Sequence, residues 1–165
     1  MGSILNNQKS NKIYNVLSMI PAIVIMVGIF YFSSQDALES SSLSGGIVEN
    51  IYQVIEKFFN WELTAAHRIQ RLELFETGIR KAAHMTEYSL LAVTVAYPLY
   101  LYGSRGYKLV LRTELISILY AVTDEIHQLY VPGRSGQISD VLIDGTGALI
   151  GCLLFVFLGV RHHKL

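Results

Sequence analysis

Four long apolar stretches divide the chain, covering residues 13–32, 82–102, 109–130 and 138–160. A bilayer core about 30 Å thick requires roughly 20 mostly apolar residues in a helix, so each stretch is long enough to cross it. The first stretch is continuous, whereas polar side chains interrupt the other three. The pattern predicts an all-α integral membrane protein of about four transmembrane helices, folded as one domain over residues 1–165.

The segment between the first two apolar stretches carries a different pattern. Residues 39–46 are rich in serine and glycine, which favours a turn. Apolar residues then recur at helical spacing in 47–59 and again from Thr64 to Ile79, as in amphipathic helices. We therefore expect two amphipathic helices in this long first loop, lying on the membrane surface or over the mouth of the bundle.

Basic residues near the span ends indicate an orientation, because Lys and Arg are enriched in cytoplasmic loops. They occur in the short second loop, in the tail and at the start of the chain: Arg105, Lys108, Arg112, Arg161, Lys164, Lys9 and Lys12. This distribution predicts that both termini are cytoplasmic and that the loops at 33–80 and 131–137 lie outside. Arg80 and Lys81 lie at an outer end and oppose the rule, which favours a functional role for them.

Composition narrows the classes of function. Hydrophobic residues make up 52% of the chain and charged residues 16%, against about a quarter charged in soluble domains. The 13 basic and 13 acidic residues cancel, which argues against a nucleic-acid partner because that would need a basic surface. Cys152 is the only cysteine, which excludes an intramolecular disulfide and a multi-cysteine metal site. No cofactor is indicated.

The polar residues of the last three stretches fall at one depth. With a rise of about 1.5 Å per helical residue, they lie within about 10 Å of the outer interface. Ionisable side chains in spans usually face the protein interior or a wet cavity, so we expect a polar pocket open at the outer face. The predicted ligand-binding residues are Ser34, Gln35, Lys81, His84, Glu87, Asp124, Glu125, Gln128, Arg134, Asp140 and Asp144.

Some of these residues also fit purely structural roles. Asp140 is shallow enough to cap its helix, and Asp124 and Asp144 could form ion pairs with Arg134 or Lys81. Gly147 and Gly151 have the four-residue spacing that lets two helices approach closely, which indicates packing.

Three kinds of chemistry are compatible with the residues of the predicted pocket. His84, His127 and nearby carboxylates are suitable metal ligands, but the sequence lacks a specific metal motif, and we predict no metal. Ser33 or Ser34 could act as a nucleophile beside a histidine, although no nucleophile-elbow pattern supports this. An anion site is better supported, because the planar guanidinium of Arg134 suits phosphate or carboxylate and Arg80 and Lys81 are near.

Five motifs run in order along nearly the whole chain: FSSQ at 32–35, RKAAHMTEY at 80–88, TDEIHQ at 123–128, PGRSG at 132–136 and DVLID at 140–144, followed by Gly147. In these motifs the chain resembles the VanZ-like family of bacterial membrane proteins, named for a teicoplanin-resistance protein. The resemblance implies a multi-pass protein of the bacterial cell membrane, with members associated with reduced teicoplanin susceptibility. It implies no settled chemistry.

Three functions therefore stay open. The first is an outer-leaflet pocket in contact with membrane lipid that binds a lipid-linked cell-wall precursor or a lipoglycopeptide and lowers teicoplanin action. The second is a membrane-embedded hydrolase or transferase acting on a lipid-linked phosphate, with catalytic candidates His84, His127, Asp124, Glu125 and Asp144. The third is a helix-packing partner in a larger complex. Whether the chain is an enzyme, and whether it forms a homo-oligomer, are also open.

Overall fold

The computed structural model describes residues 13–59 and 65–163, and each regular element in these ranges is helical. This confirms the all-α prediction. The helices are α1 (Ile20–Ser33), α2 (Ala37–Phe58), α3 (Ala65–Leu101), α4 (Gly106–Gln128) and α5 (Ile138–His163), and residues 13–17 before α1 are helical as well. The predictions made for Lys9, Lys12, Thr64 and Lys164 lie outside the described residues.

Two helical segments are long and apolar enough to cross a membrane, Ile13–Ser33 and Ile138–Gly159. They correspond to the first and fourth predicted spans. The second and third predicted spans lie in α3 and α4, whose polar side chains lower their average hydropathy. Length and composition therefore support two of the four predicted spans.

The first loop differs from its prediction in two ways. Residues 39–46 are helical and belong to α2, because helix propensity is a weak preference that tertiary packing overrides. The expected second amphipathic helix is not separate either. It continues without a break into the second predicted span, so that α3 has 37 residues and is about 55 Å long at 1.5 Å per residue.

Helix α2 packs against the N-terminal half of α3. The rings of Tyr52 and Phe75 meet edge to face, with their centroids 5.8 Å apart. Arg68 of α3 pairs with Glu49 at 2.6 Å and with Glu56 at 3.3 Å. The hydrogen bond from Arg68 lowers the pKa of Glu49, and the same bond raises the pKa of Arg68. These contacts hold α2 beside the part of α3 that precedes the predicted span.

The closest helix packing in the bundle is between α3 and α5. A Cβ atom added at Gly147 would collide with the backbone of Met85, and one added at Gly151 would collide with the backbone of Ser89. The two glycines therefore allow the backbones to touch, which confirms the packing role predicted from their spacing. Helix α1 packs on α3 and α4, and Tyr120 of α4 donates a hydrogen bond to the carbonyl of Met26 at 2.6 Å.

Two tight connections bring the polar ends of the helices together. Gly103 lies in the turn that follows the end of α3, and its φ of 91° is one that suits glycine. The Gly103 N–H bonds to the Tyr100 carbonyl and the Ser104 N–H to the Leu99 carbonyl, the pattern of a Schellman cap. Gly133, with φ 73°, lies in the 131–137 loop between α4 and α5. Because both connections are short, the end of α4 and the start of α5 meet beside the middle of α3.

Candidate functional site

A polar cavity of about 200 Å³ lies where α3, the 131–137 loop and the start of α5 meet. Basic side chains reach it from α3 and from the loop, and acidic side chains reach it from α5. The cavity is called the polar pocket below. Its lining residues are Thr77, Arg80, Lys81, His84, Gln128, Gly133, Arg134, Ser135, Gln137, Asp140, Ile143 and Asp144.

Lys81 and Asp140 form an ion pair across the polar pocket, with 2.6 Å between Nζ and Oδ1. Both side chains are partly exposed, so water screens the pair and its contribution to stability is small. Arg80, one residue earlier, lies 3.6 Å from Glu76 of the same helix. Asp140 thus has a specific partner on α3 in addition to its position in the first turn of α5.

His84 and Asp144 form the second pair of the polar pocket. Nδ1 of His84 is 3.5 Å from Oδ1 of Asp144, and the Asp144 side chain is fully buried. Neither carboxylate oxygen of Asp144 has a hydrogen-bond partner within the described part of the chain. A buried carboxylate is costly unless it is paired and hydrogen-bonded, and among the described residues His84 is the ion-pair partner that the structure places beside it.

Arg134 connects the polar pocket to the end of α1. Its Nε–H donates to the backbone carbonyl of Gln35 at 3.2 Å, which uses one of the five donors of the guanidinium. Burial lowers the pKa of Arg134, and the charge of Arg80 lowers it further. A bound anion would offset both effects, because it would replace lost hydration and separate the two like charges.

The acidic residues of α4 lie beside the polar pocket rather than in its lining. Glu125 Oε2 accepts the backbone N–H of Gln137 at 2.7 Å, which satisfies a donor at the start of α5. Asp124 is buried and accepts a long bond of 3.3 Å from Gln128 Nε2. Glu87, also predicted as a binding residue, is outside the lining. Glu125 and Asp124 thus each bond to a residue that lines the polar pocket, Gln137 and Gln128 respectively.

His127 contacts the end of α1 and lies outside the lining of the polar pocket. Its ring stacks on Phe30, with centroids 4.3 Å apart, and its Nε2 lies 3.1 Å from Ser34 Oγ. The Ser34 hydroxyl donates its single proton to the Phe30 carbonyl at 2.6 Å. Which of the two groups donates in the His127–Ser34 contact depends on the tautomer of the ring.

The family is decided by comparison of the whole sequence with known proteins. The VanZ/LLP1 profile matches residues 18–159, which is most of the chain. The chain belongs to the VanZ/LLP1 family. No curated protein and no solved structure matches it. Every residue that lines the polar pocket of this VanZ/LLP1 protein lies within the matched region.

Six residues that line the polar pocket of this VanZ/LLP1 chain are absent from the predicted ligand-binding set, and only Arg80 among them was predicted as a nearby charge: Thr77, Arg80, Gly133, Ser135, Gln137 and Ile143. Thr77 was assigned to a separate helix, but in the continuous α3 it lies one turn before Lys81 and shares its face. The unbroken helical spacing of residues 77, 81 and 84 was the signal that could have found it. Among the described residues, no group of three His, Cys, Asp or Glu side chains could hold a metal ion.

Proposed function

We propose that this VanZ/LLP1 protein crosses the bacterial cell membrane four times, with both termini in the cytoplasm and the polar pocket at the outer leaflet. The family and the two apolar helices support membrane association. The exposure pattern of α4 supports a further span. Leu111, Leu115 and Leu119 on this helix are 57–63% exposed, whereas Thr113 and Ser117 are fully buried.

Such a helix is apolar outside and polar inside, the reverse of a helix on the surface of a soluble protein. Lipid is the solvent that suits its outer face. In the second half of α3 the exposed face is also apolar, since Leu90 and Tyr97 are about half exposed, and His84 faces Asp144 on the inner side. Polar residues in these two helices reduce their average hydropathy because they serve the interior of the bundle.

The polar pocket, in this proposal, binds the anionic head group of a lipid-anchored envelope molecule or of a lipoglycopeptide, and thereby lowers teicoplanin action. The observation that carries the proposal is the approach of the half-buried Arg134 to Arg80 and Lys81 around one cavity. Arginine forks and lysine ammonium groups are the usual ligands of phosphate and carboxylate.

The size of the polar pocket restricts what it can hold. Its volume of about 200 Å³ is below the roughly 300–1,000 Å³ of sites that enclose drug-sized ligands. A whole glycopeptide is far larger than that. The pocket therefore suits a head group, and the rest of the ligand would remain in the membrane or in the medium.

Drug susceptibility tests the proposal. Teicoplanin and vancomycin susceptibility would be measured in a sensitive Gram-positive host expressing wild type, Arg134→Ala, His84→Ala or Asp144→Asn at equal membrane abundance. Lys57→Ala is the matched control, because it removes a basic charge from exposed α2, away from the pocket. We expect selective protection against teicoplanin by wild type and the control, lost in the pocket variants. Equal protection by wild type and Arg134→Ala would reject the proposal.

A second candidate function rests on the His84–Asp144 pair. A buried carboxylate beside Nδ1 can orient an imidazole and stabilise its protonated form, as in hydrolases that use histidine as acid and base. With Arg134 holding a phosphate, His84 could act in a membrane-embedded hydrolase or transferase of a lipid-linked phosphate. Purified protein would be incubated with labelled lipid-linked phosphates. Turnover that is lost in His84→Ala and retained in His127→Ala would support this function.

A further inference from the structure

An apolar cavity of about 250 Å³ adjoins the polar pocket on the outside of the bundle. It lies between the end of α4 and the start of α5 and is called the apolar groove below. Its lining side chains are aliphatic except for one glutamate and one glutamine: Val122, Glu125, Ile126, Leu129, Gly136, Gln137, Ile138 and Val141.

The apolar groove opens on the outer surface of the bundle. Ile126 is 52% exposed and Ile138 is 83% exposed, although both are large aliphatic residues. On the face that a four-span bundle presents to the bilayer, such a groove would be filled by hydrocarbon. A groove of this kind does not attract hydrocarbon by the hydrophobic effect, since a lipid chain is already in an apolar solvent.

The linings of the polar pocket and the apolar groove have one residue in common. Gln137 lines both of them, and its backbone N–H is fixed by Glu125 Oε2 at 2.7 Å. Gly136, which lines the apolar groove, packs directly on the end of α4, because a Cβ atom there would lie 2.5 Å from the Glu125 carbonyl oxygen and 3.0 Å from Leu129 Cδ2. The two cavities therefore meet at Gln137 itself, which is exposed, and a molecule with a charged head and a hydrocarbon chain could pass over this residue and occupy both cavities at once.

We propose that the polar pocket and the apolar groove form one site for a single-chain lipid phosphate, with its phosphate against Arg134 and the first part of its chain along Ile126 and Val141. This inference rests on the proposed function, because it specifies the class of ligand that the polar pocket takes. The charges supply the affinity, through charge-assisted hydrogen bonds. The apolar groove makes the site select a phosphate with an attached chain over free phosphate, because it fixes the direction in which the chain leaves the head group.

Photolabelling locates the chain directly. The probe is dodecyl phosphate with a diazirine on its chain, added to the full protein in phosphatidylcholine nanodiscs, and the labelled peptides are mapped by mass spectrometry. We expect labels in 122–129 and 136–141. Excess unlabelled dodecyl phosphate should remove them, whereas equal concentrations of dodecanol or inorganic phosphate should not. Arg134→Ala should reduce labelling about tenfold, the effect of losing one charge-assisted hydrogen bond.

Two tryptophan substitutions separate the groove from the general lipid surface. Ile126→Trp would fill the apolar groove, and Leu119→Trp is the matched control, since it is 58% exposed on the same helix but outside the groove. We expect groove labelling to disappear in Ile126→Trp and to persist in Leu119→Trp. Circular dichroism and nanodisc yield would verify that both variants fold.

Three results would overturn the inference: even labelling of all lipid-facing positions, removal of the labels by dodecanol, or removal by inorganic phosphate as efficiently as by dodecyl phosphate. The first two mean that the groove holds ordinary membrane lipid. The third means that the pocket binds a free anion. In each case, selective loss of teicoplanin protection in Arg134→Ala would still support the proposed function, so the two proposals fail separately.

Discussion

The Asp144 carboxylate is fully buried, and Nδ1 of His84 lies 3.5 Å from it. Such a costly placement suggests a role beyond stability. We expect Asp144→Asn to change the free energy of unfolding by no more than about 1 kcal/mol, because asparagine has nearly the same size and neither carboxylate oxygen of Asp144 accepts a hydrogen bond from the described part of the chain. Thermal unfolding of the purified variant would measure this. Teicoplanin protection should be lost in the same variant.

The comparison for Asp144 is Asp140→Asn, which weakens the partly exposed ion pair with Lys81. That change should also cost about 1 kcal/mol or less, as measured for exposed pairs. A loss of several kcal/mol in Asp144→Asn alone would mean that the carboxylate serves the stability of the bundle. The proposed functional role of Asp144 would then be withdrawn.

At the scale of helices, the contact between α3 and α5 predicts unequal effects of glycine substitutions within one helix. Gly147→Ala and Gly151→Ala should each destabilise the protein by about 1–3 kcal/mol, because the new methyl groups meet backbone atoms that cannot move aside. Gly145→Ala is the control, since its Cβ would lie 3.5 Å from Glu114 Oε1, an ordinary contact. Equal unfolding temperatures for all three variants would contradict the described packing.

The attachment of α2 to α3 should depend on pH. Arg68 lowers the pKa of Glu49 in the folded state, so the pair contributes stability above the ordinary glutamate pKa of 4.5 and loses it as the pH falls through the lower, folded value. We expect amide exchange in residues 45–58 to increase below pH 4.5. It would be measured by short pulses after incubation at each pH and corrected for intrinsic exchange. Arg68→Ala should raise exchange at neutral pH and remove this pH dependence.

The helices were predictable where one pattern dominated the sequence. The continuous apolar run at 13–32 and the glycine spacing in α5 led directly to observed features. The serine- and glycine-rich residues 39–46 misled the local reasoning, because Val48 and Tyr52 are buried against α3 and tertiary packing extends the helix. The continuity of α3 was also missed, since hydropathy changes near residue 80 while helix propensity does not.

The candidate site was predictable as far as depth and helical face determine it. Lys81 and His84, near the middle of α3, lie beside Asp140 and Asp144, in the first two turns of α5. Contacts that involve loops were beyond reach. The bond from Arg134 to the Gln35 carbonyl depends on the path of the 131–137 loop, which no periodic pattern encodes.

For the whole molecule, the distribution of polar and apolar surface explains why simple hydropathy identifies only two of the helices. The interior of α4 contains Thr113, Ser117, Asp124 and Gln128, all buried, and its exterior is leucine-rich. Averaging along the helix mixes the two faces. If α3 and α4 cross the membrane as proposed, the polar residues on their inner faces weaken the hydropathy signal of these two spans.

Orientation in the membrane gives the last prediction. The proposed topology places Ser135 outside and Tyr107, in the first turn of α4, in the cytoplasm. In intact cells, a membrane-impermeant maleimide should label Ser135→Cys, and it should label Tyr107→Cys only after permeabilisation. Wild type is the control in intact cells, because its one cysteine, Cys152, is buried.

The result of this labelling also decides whether the pocket can meet its ligand. Arg105, Lys108 and Arg112 near the second connection favour a cytoplasmic location there, whereas Arg80, Lys81 and Arg134 at the opposite end weaken the bias. If only permeabilised cells label Ser135→Cys, the polar pocket opens to the cytoplasm, where an extracellular glycopeptide does not reach it. A cytoplasmic pocket would leave an inner-leaflet lipid phosphate as the compatible ligand, because the basic cluster and the adjoining groove do not depend on orientation.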